Sequence, residues 1–107
     1  MARLAQLDWD AGNLDKCQSH GVSRDEIEFV FANDPFSTPD EAHSLVEDRF
    51  IAIGENPSGR LVFIVYTVRP SANDDEIVRA LSARYMHRKE IDRYARLWRK
   101  EGPPLQN

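Results

Sequence analysis

The sequence predicts an α+β domain: a small antiparallel sheet carrying two short N-terminal helices and a C-terminal amphipathic helix. Three observations predict it. First, three apolar runs follow one another across turn-rich connections: "RFIAIG" (Arg49 to Gly54), "RLVFIVYTVR" (Arg60 to Arg69) and "EIVRALSAR" (Glu76 to Arg84). Second, two helix-start signals precede them. Third, an apolar stripe at helical spacing follows them. Grouped strands flanked by helices bury their apolar faces by packing helix on sheet. The expected order is β-α-α-β-β-β-β-α, with the helices on one side of the sheet.

Leu4 to Trp9 alternates apolar and polar residues and reads as a short first strand. Asp10 can cap a helix running to about Ser19, its carboxylate accepting from the orphan amides of the first turn. Leu14 and Cys17, three apart, share the predicted buried face of that helix. His20-Gly21 ends it, glycine tolerating the left-handed conformation. Ser23 with Glu26 three residues on is a capping box, and Val22 and Ile27 stand at the staple positions around it. Ile27, Val30 and Phe31 give the i, i+3, i+4 face of this second helix. Asn33-Asp34-Pro35 stops it, since proline disfavours a helical residue before it.

Phe36 to Thr38 reads as a short strand, followed by an acidic loop from Pro39 to Asp48. Short connections then make the three apolar runs antiparallel neighbours. Leu61 to Val68 is almost wholly apolar and is therefore the central strand, covered on both faces. The last helix starts near Met86 or His87. Its stripe is Ile91, Tyr94, Leu97 and Trp98, with Arg88, Lys89, Arg93, Arg96 and Lys100 around the rest of its circumference. Gly102-Pro103-Pro104 ends it. Residues 1–101 form one domain and 102–107 a tail.

At 107 residues, 41% hydrophobic and 30% charged, the composition is that of an ordinary globular domain. No apolar run approaches the roughly 20 residues that span a bilayer. The first ten residues lack a signal-peptide core, so a cytoplasmic protein without membrane contact is expected. The single cysteine, Cys17, forms no internal disulfide. Cys17 and His20, with His43 elsewhere, fall short of a metal-ligand set, so neither metal nor cofactor is expected.

Charge is divided unevenly along the chain. Ser23 to Asp48 holds eight acids against the single base Arg24, a net −7. Arg79 to Lys100 holds eight bases against Glu90 and Asp92, a net +6. A basic half of this kind points to an anionic partner, and a solvated helix face is the plainer explanation of the same charges.

The motifs, taken in order, resemble the BrnT family of bacterial type II toxins, which share the RelE-like fold. The likeness rests on Trp9-Asp10 followed by Asn13, Lys16 and "HGVS"; on "EDRFIAIG" from Glu47 to Gly54; on "VYTVR" from Val65 to Arg69; and on "VRALSAR" followed by Arg88, Glu90 and Tyr94. The resemblance implies a small ribonuclease that inhibits translation. It implies no metal, with the RNA 2′-hydroxyl attacking the adjacent phosphate. It also implies an antitoxin partner with a ribbon-helix-helix domain (BrnA-like), in a dimer or hetero-tetramer. Its polar positions fall on Arg49, Arg69, Arg79, Ser82 and Arg84. Tyr85 departs from the family pattern, which carries lysine there, and the chain is acidic where family toxins tend to be basic.

Cleavage by this route needs a base, cations for the phosphorane and an acid for the leaving oxygen. Arginine grips phosphate with two donors. Arg84, Arg69 and Arg79 are the candidate cations, and His87 the candidate proton carrier. Arg49, Ser82, Tyr85 and Arg88 are the further candidates for holding RNA, Tyr85 by stacking on a base. Glu47 is a weaker candidate base. In an antiparallel hairpin Arg69 pairs near Glu76, which places it at the far end of the sheet from Arg84. Two other readings stay open. One is a catalytically degenerate binding module that engages an antitoxin or nucleic acid without cleavage. The other is a nucleic-acid binder that uses the basic helix.

Overall fold

The computed structural model describes residues 6–40, 48–70 and 76–100, the last five as backbone only. The predicted tail, Glu47, His43 and the Leu97 and Trp98 side chains lie outside the described residues. The elements are β1 (Gln6–Leu7), α1 (Ala11–Gln18), α2 (Arg24–Ala32), β2 (Phe36–Pro39), β3 (Phe50–Glu55), β4 (Leu61–Pro70), β5 (Glu76–Tyr85) and α3 (Arg88–Lys100), in the predicted order. The strands form one sheet ordered β1-β5-β4-β3-β2, so the apolar β4 is indeed central.

The sheet is mixed, which corrects the antiparallel expectation. β1 pairs with β5 in parallel, Gln6 opposite Ile77 and Leu7 opposite Val78, while the other pairings are antiparallel. Parallel neighbours need a crossover. Here α1, α2 and the hairpins of β2 to β4 all intervene between β1 and β5, a long connection that short-loop reasoning does not reach.

Both helix starts are built as the sequence suggests. Asp10 and Asn13 form a reciprocal capping box on α1, and Ser23 and Glu26 form one on α2. Gly21 at φ 89° turns the chain between them, in the region that favours glycine. On α1 the buried residues are Asn13 and Cys17, whereas Leu14, predicted to share the core face, is only half-buried.

One sheet face carries the main core. Cys17, Val22, Ile27, Val30 and Phe31 of the helical segment pack on Ala52, Val62, Ile64, Tyr66, Val78, Ala80 and Ala83. Phe31 meets the Tyr66 ring edge-on at 5.1 Å and Phe50 stacks on it at 5.5 Å. Truncating a fully buried residue such as Ile64 to alanine would cost about 2–5 kcal/mol. α2 sits close on β3 at Gly54, where a Cβ would lie 2.9 Å from Val30 Cγ1.

The helices do not all lie on one side, contrary to the expectation. Phe63 points away from the main core, since alternate residues Val62 and Ile64 fill it. The Tyr94 ring of α3 lies 6.2 Å from Phe63, which puts α3 on the second face. Among the described residues no helix is long and apolar enough to cross a membrane.

Candidate active-site cleft

β5 departs from strict alternation at one point, and that point builds the site. Val65 pairs with Ser82 but Tyr66 pairs with Ala80, leaving Leu81 as an extra residue in a β-bulge. Before the bulge the core-facing residues are Val78 and Ala80. After it they are Ala83 and Tyr85. Without the bulge, Ser82 and Arg84 would share the core face with Ala80. With it, they join Arg79 on the second face.

That face holds a cleft of about 610 Å³. Ile51, Phe63, Val65 and Leu81 supply its apolar lining. Lys16, Arg49, Arg79 and Arg84 bring four cations to it, Ser82 a hydroxyl and Asp40 a single carboxylate. α1 forms one wall through Gly12, Asn13 and Lys16, because it runs along the β5 edge where β1 stops. Arg49 enters at the start of β3, where the Thr67 hydroxyl donates to the Asp48 carbonyl at 3.0 Å and fixes the preceding chain to β4.

Arg79 and Arg84 are held by carboxylates. Arg79 reaches Asp8 Oδ2 at 3.2 Å and Asp10 Oδ2 at 2.8 Å. The Asn13 backbone amide and Arg79 hold the Asp10 carboxyl below its ordinary value. Arg84 donates through both terminal nitrogens to Glu90, at 2.6 and 2.7 Å, and its guanidinium lies 4.4 Å from the Phe63 ring centre. Arg84 is the main cause that pulls the Glu90 carboxyl down to about 2. Hydrogen bonds to Asp10 and Glu90, respectively, raise the pKa of Arg79 and Arg84 above that of free arginine. Most of the predicted acidic loop, 41–47, lies outside the described residues; among the described ones the carboxylates on Arg79 and Arg84 are Asp8, Asp10 and Glu90.

The cleft brings together Arg49, Arg79, Ser82 and Arg84 of the sequence candidates. Arg69 is exposed opposite Ile77, whereas Arg84 is opposite Phe63, so about six strand residues or roughly 20 Å separate them. His87 and Arg88 are exposed at the start of α3 and do not line the cleft. The His87 amide nevertheless donates at 3.1 Å to Glu90 Oε1, the same oxygen that Arg84 holds. Tyr85 faces the helices. Its hydroxyl is 2.7 Å from Glu26 Oε2, and Arg60 lies 3.8 Å over its ring.

Sequence reasoning missed Lys16 and Asn13 as cleft residues, although their i, i+3 spacing places them on one helix face. It also missed Glu90 as the partner of Arg84. Its place three residues after His87, as the acid of a helix N-terminus, was the available signal.

A small α+β domain with a cationic, hydroxyl-bearing cleft on the second face of its sheet is equipped to hold a phosphodiester. Comparison with protein families matches residues 9–90 to the family described as the ribonuclease toxin, BrnT, of type II toxin-antitoxin systems. The chain belongs to that family, whose type implies an antitoxin partner and an RNA substrate. No curated protein matches it.

Proposed function

We propose that the chain is a metal-independent endoribonuclease, on a RelE-like scaffold, that cuts RNA in the cleft over β3 to β5. The observation that carries the proposal is the convergence of Lys16, Arg49, Arg79, Ser82 and Arg84 there. The RNA 2′-hydroxyl attacks the adjacent phosphorus, the bond to the 5′-oxygen breaks, and a 2′,3′-cyclic phosphate remains. Arg84 and Arg79 offset the charge of the phosphorane. Ser82 donates to a non-bridging oxygen, while Lys16 and Arg49 hold flanking phosphates. His87, outside the cleft lining but tied by its backbone amide to the Arg84 partner Glu90, is the group proposed to carry the proton from the 2′-hydroxyl to the leaving 5′-oxygen. Arg69, Arg88, Lys89 and Arg93, all exposed, extend the surface that attracts RNA. A ribbon-helix-helix antitoxin, in a dimer or hetero-tetramer with this chain in the cytoplasm, silences it.

Arg84→Ala and Arg79→Ala should relieve growth arrest while leaving the far-UV spectrum unchanged. Cleavage should persist in EDTA and leave cyclic phosphate ends. Loss of cleavage in EDTA, or full toxicity of both variants, refutes the proposal. One observation favours a second reading. Arg79 and Arg84 are both engaged by internal carboxylates, as in a degenerate member that binds an antitoxin without cutting. In that case purified protein binds antitoxin but leaves RNA intact.

A further inference from the structure

The bulge at Leu81 decides which face Ser82 and Arg84 occupy, so whatever fixes the bulge fixes the cleft. β1 covers the outer edge of β5 only as far as Val78, whose carbonyl accepts from the Asp8 amide at 2.9 Å. The next carbonyl on that edge, Ala80 O, receives the Asn13 side-chain Nδ2 at 3.0 Å. A carboxamide thus stands in for the missing strand and continues the ladder to the residue before the bulge. The same Nδ2 donates to the Asp8 carbonyl at 2.9 Å, and Asn13 Oδ1 accepts from the Asp10 amide at 2.7 Å. Asn13 is 4% exposed. Its three side-chain bonds hold the segment bearing Asp8 and Asp10, the two carboxylates on Arg79, against the strand bearing Ser82 and Arg84.

We propose that Asn13 is a positioning residue for RNA cleavage: its buried carboxamide fixes the β5 bulge and so sets Arg79, Ser82 and Arg84 in one array. The proposal rests on the cleft reading above. Phosphate binding needs only nearby cations, and Lys16 and Arg49 supply these independently of the bulge. Charge stabilisation in the phosphorane needs oriented donors, so loss of the clamp acts on turnover rather than on binding.

The test compares Asn13→Ala, Asn13→Asp, Arg84→Ala and Asn56→Ala in cleavage of a defined messenger transcript. Asn13→Asp keeps an acceptor for the Asp10 amide and suits the helix N-terminus, but it sets a carboxylate against two carbonyls. Both Asn13 variants should lose about tenfold to a hundredfold in kcat with KM within about threefold, as expected when an array shifts by about 1 Å. Asn56 is another buried amide, in the β3–β4 turn and away from the cleft. Its alanine variant should melt earlier yet keep kcat. In the unmodified protein the Asn13 side-chain amide protons should exchange slowly with solvent, which needs no variant to fold.

If Arg84→Ala loses kcat while the Asn13 variants keep it, the positioning role falls and the cleft reading stands. Full kcat in Arg84→Ala overturns both. Rapid exchange of the Asn13 amide protons, or equal kcat losses in Asn56→Ala and the Asn13 variants, also overturns the positioning role.

Discussion

Arg84 and Glu90 meet fork to fork, Nη1 on Oε1 at 2.6 Å and Nη2 on Oε2 at 2.7 Å. This pair joins the end of β5 to the first turn of α3, and Glu90 Oε1 also accepts the His87 amide. The carboxylate occupies the two-donor edge that a phosphate would use. It therefore orients the guanidinium and competes with substrate for it.

Glu90→Gln separates those two roles. Removing the charge frees Arg84 for phosphate but leaves it less well aimed. KM for RNA should fall and kcat should fall with it. Stability should drop by about 1 kcal/mol, because the pair is partly exposed and the helix loses an acid in its first turn. Unchanged kcat with lower KM would mean that Glu90 only competes.

Acid should weaken the fold through two carboxylates. Burial pushes the Glu26 carboxyl up, but hydrogen bonds from Asn56, Ser23 and Tyr85 outweigh it and bring it down to about 2. Arg84 and the His87 amide bring Glu90 to about 2 as well. A folded-state value below the unfolded value of 4.5 gives stability that is complete above pH 4.5 and lost as pH falls through about 2. Urea midpoints should fall across that window. Glu26→Gln should flatten the dependence, because it removes one of the two groups.

How far this was legible in the sequence depends on the range of each interaction. The caps at Asp10 and Ser23 involve residues three apart and are readable from spacing alone. The central place of β4 follows from its apolar run. The parallel β1–β5 pairing joins residues about seventy apart and carries no local mark. The bulge is the sharper case. By alternation Arg79 and Arg84 fall on opposite faces, and only the register change opposite Val65 and Tyr66 reunites them. The separation of Arg69 from Arg84 was legible, because hairpin register is fixed by the turn.

Salt should weaken RNA binding, and Lys16 should carry a share of that effect. It is exposed on α1 at the edge of the cleft, whereas Arg79 and Arg84 already hold carboxylates. Each phosphate neutralised on single-stranded nucleic acid contributes about −0.7 to the slope of log K against log salt. Lys16→Ala should make the slope shallower by about that amount and weaken binding several-fold. Fluorescence anisotropy with a labelled single-stranded RNA measures both. An unchanged slope would place the RNA elsewhere.

A departure from the family pattern is expected from the sequence at Tyr85, and the structure places that residue away from the cleft. The ring lies on the helix side of β5, with Arg60 over it and its hydroxyl on Glu26. A lysine in its place could direct its ammonium to the same carboxylate, exchanging a hydrogen bond for an ion pair. Tyr85→Phe removes one donor from Glu26, which keeps those from Ser23 and Asn56. The loss should be about 1 kcal/mol of stability, below the usual range for a hydrogen bond to a charged acceptor because two donors remain. Cleavage by Tyr85→Phe and by Tyr85→Lys should match the parent protein. If Tyr85→Phe keeps activity and Tyr85→Ala loses it with no change in melting, the ring stacks on RNA and the helix-side placement does not describe its working state.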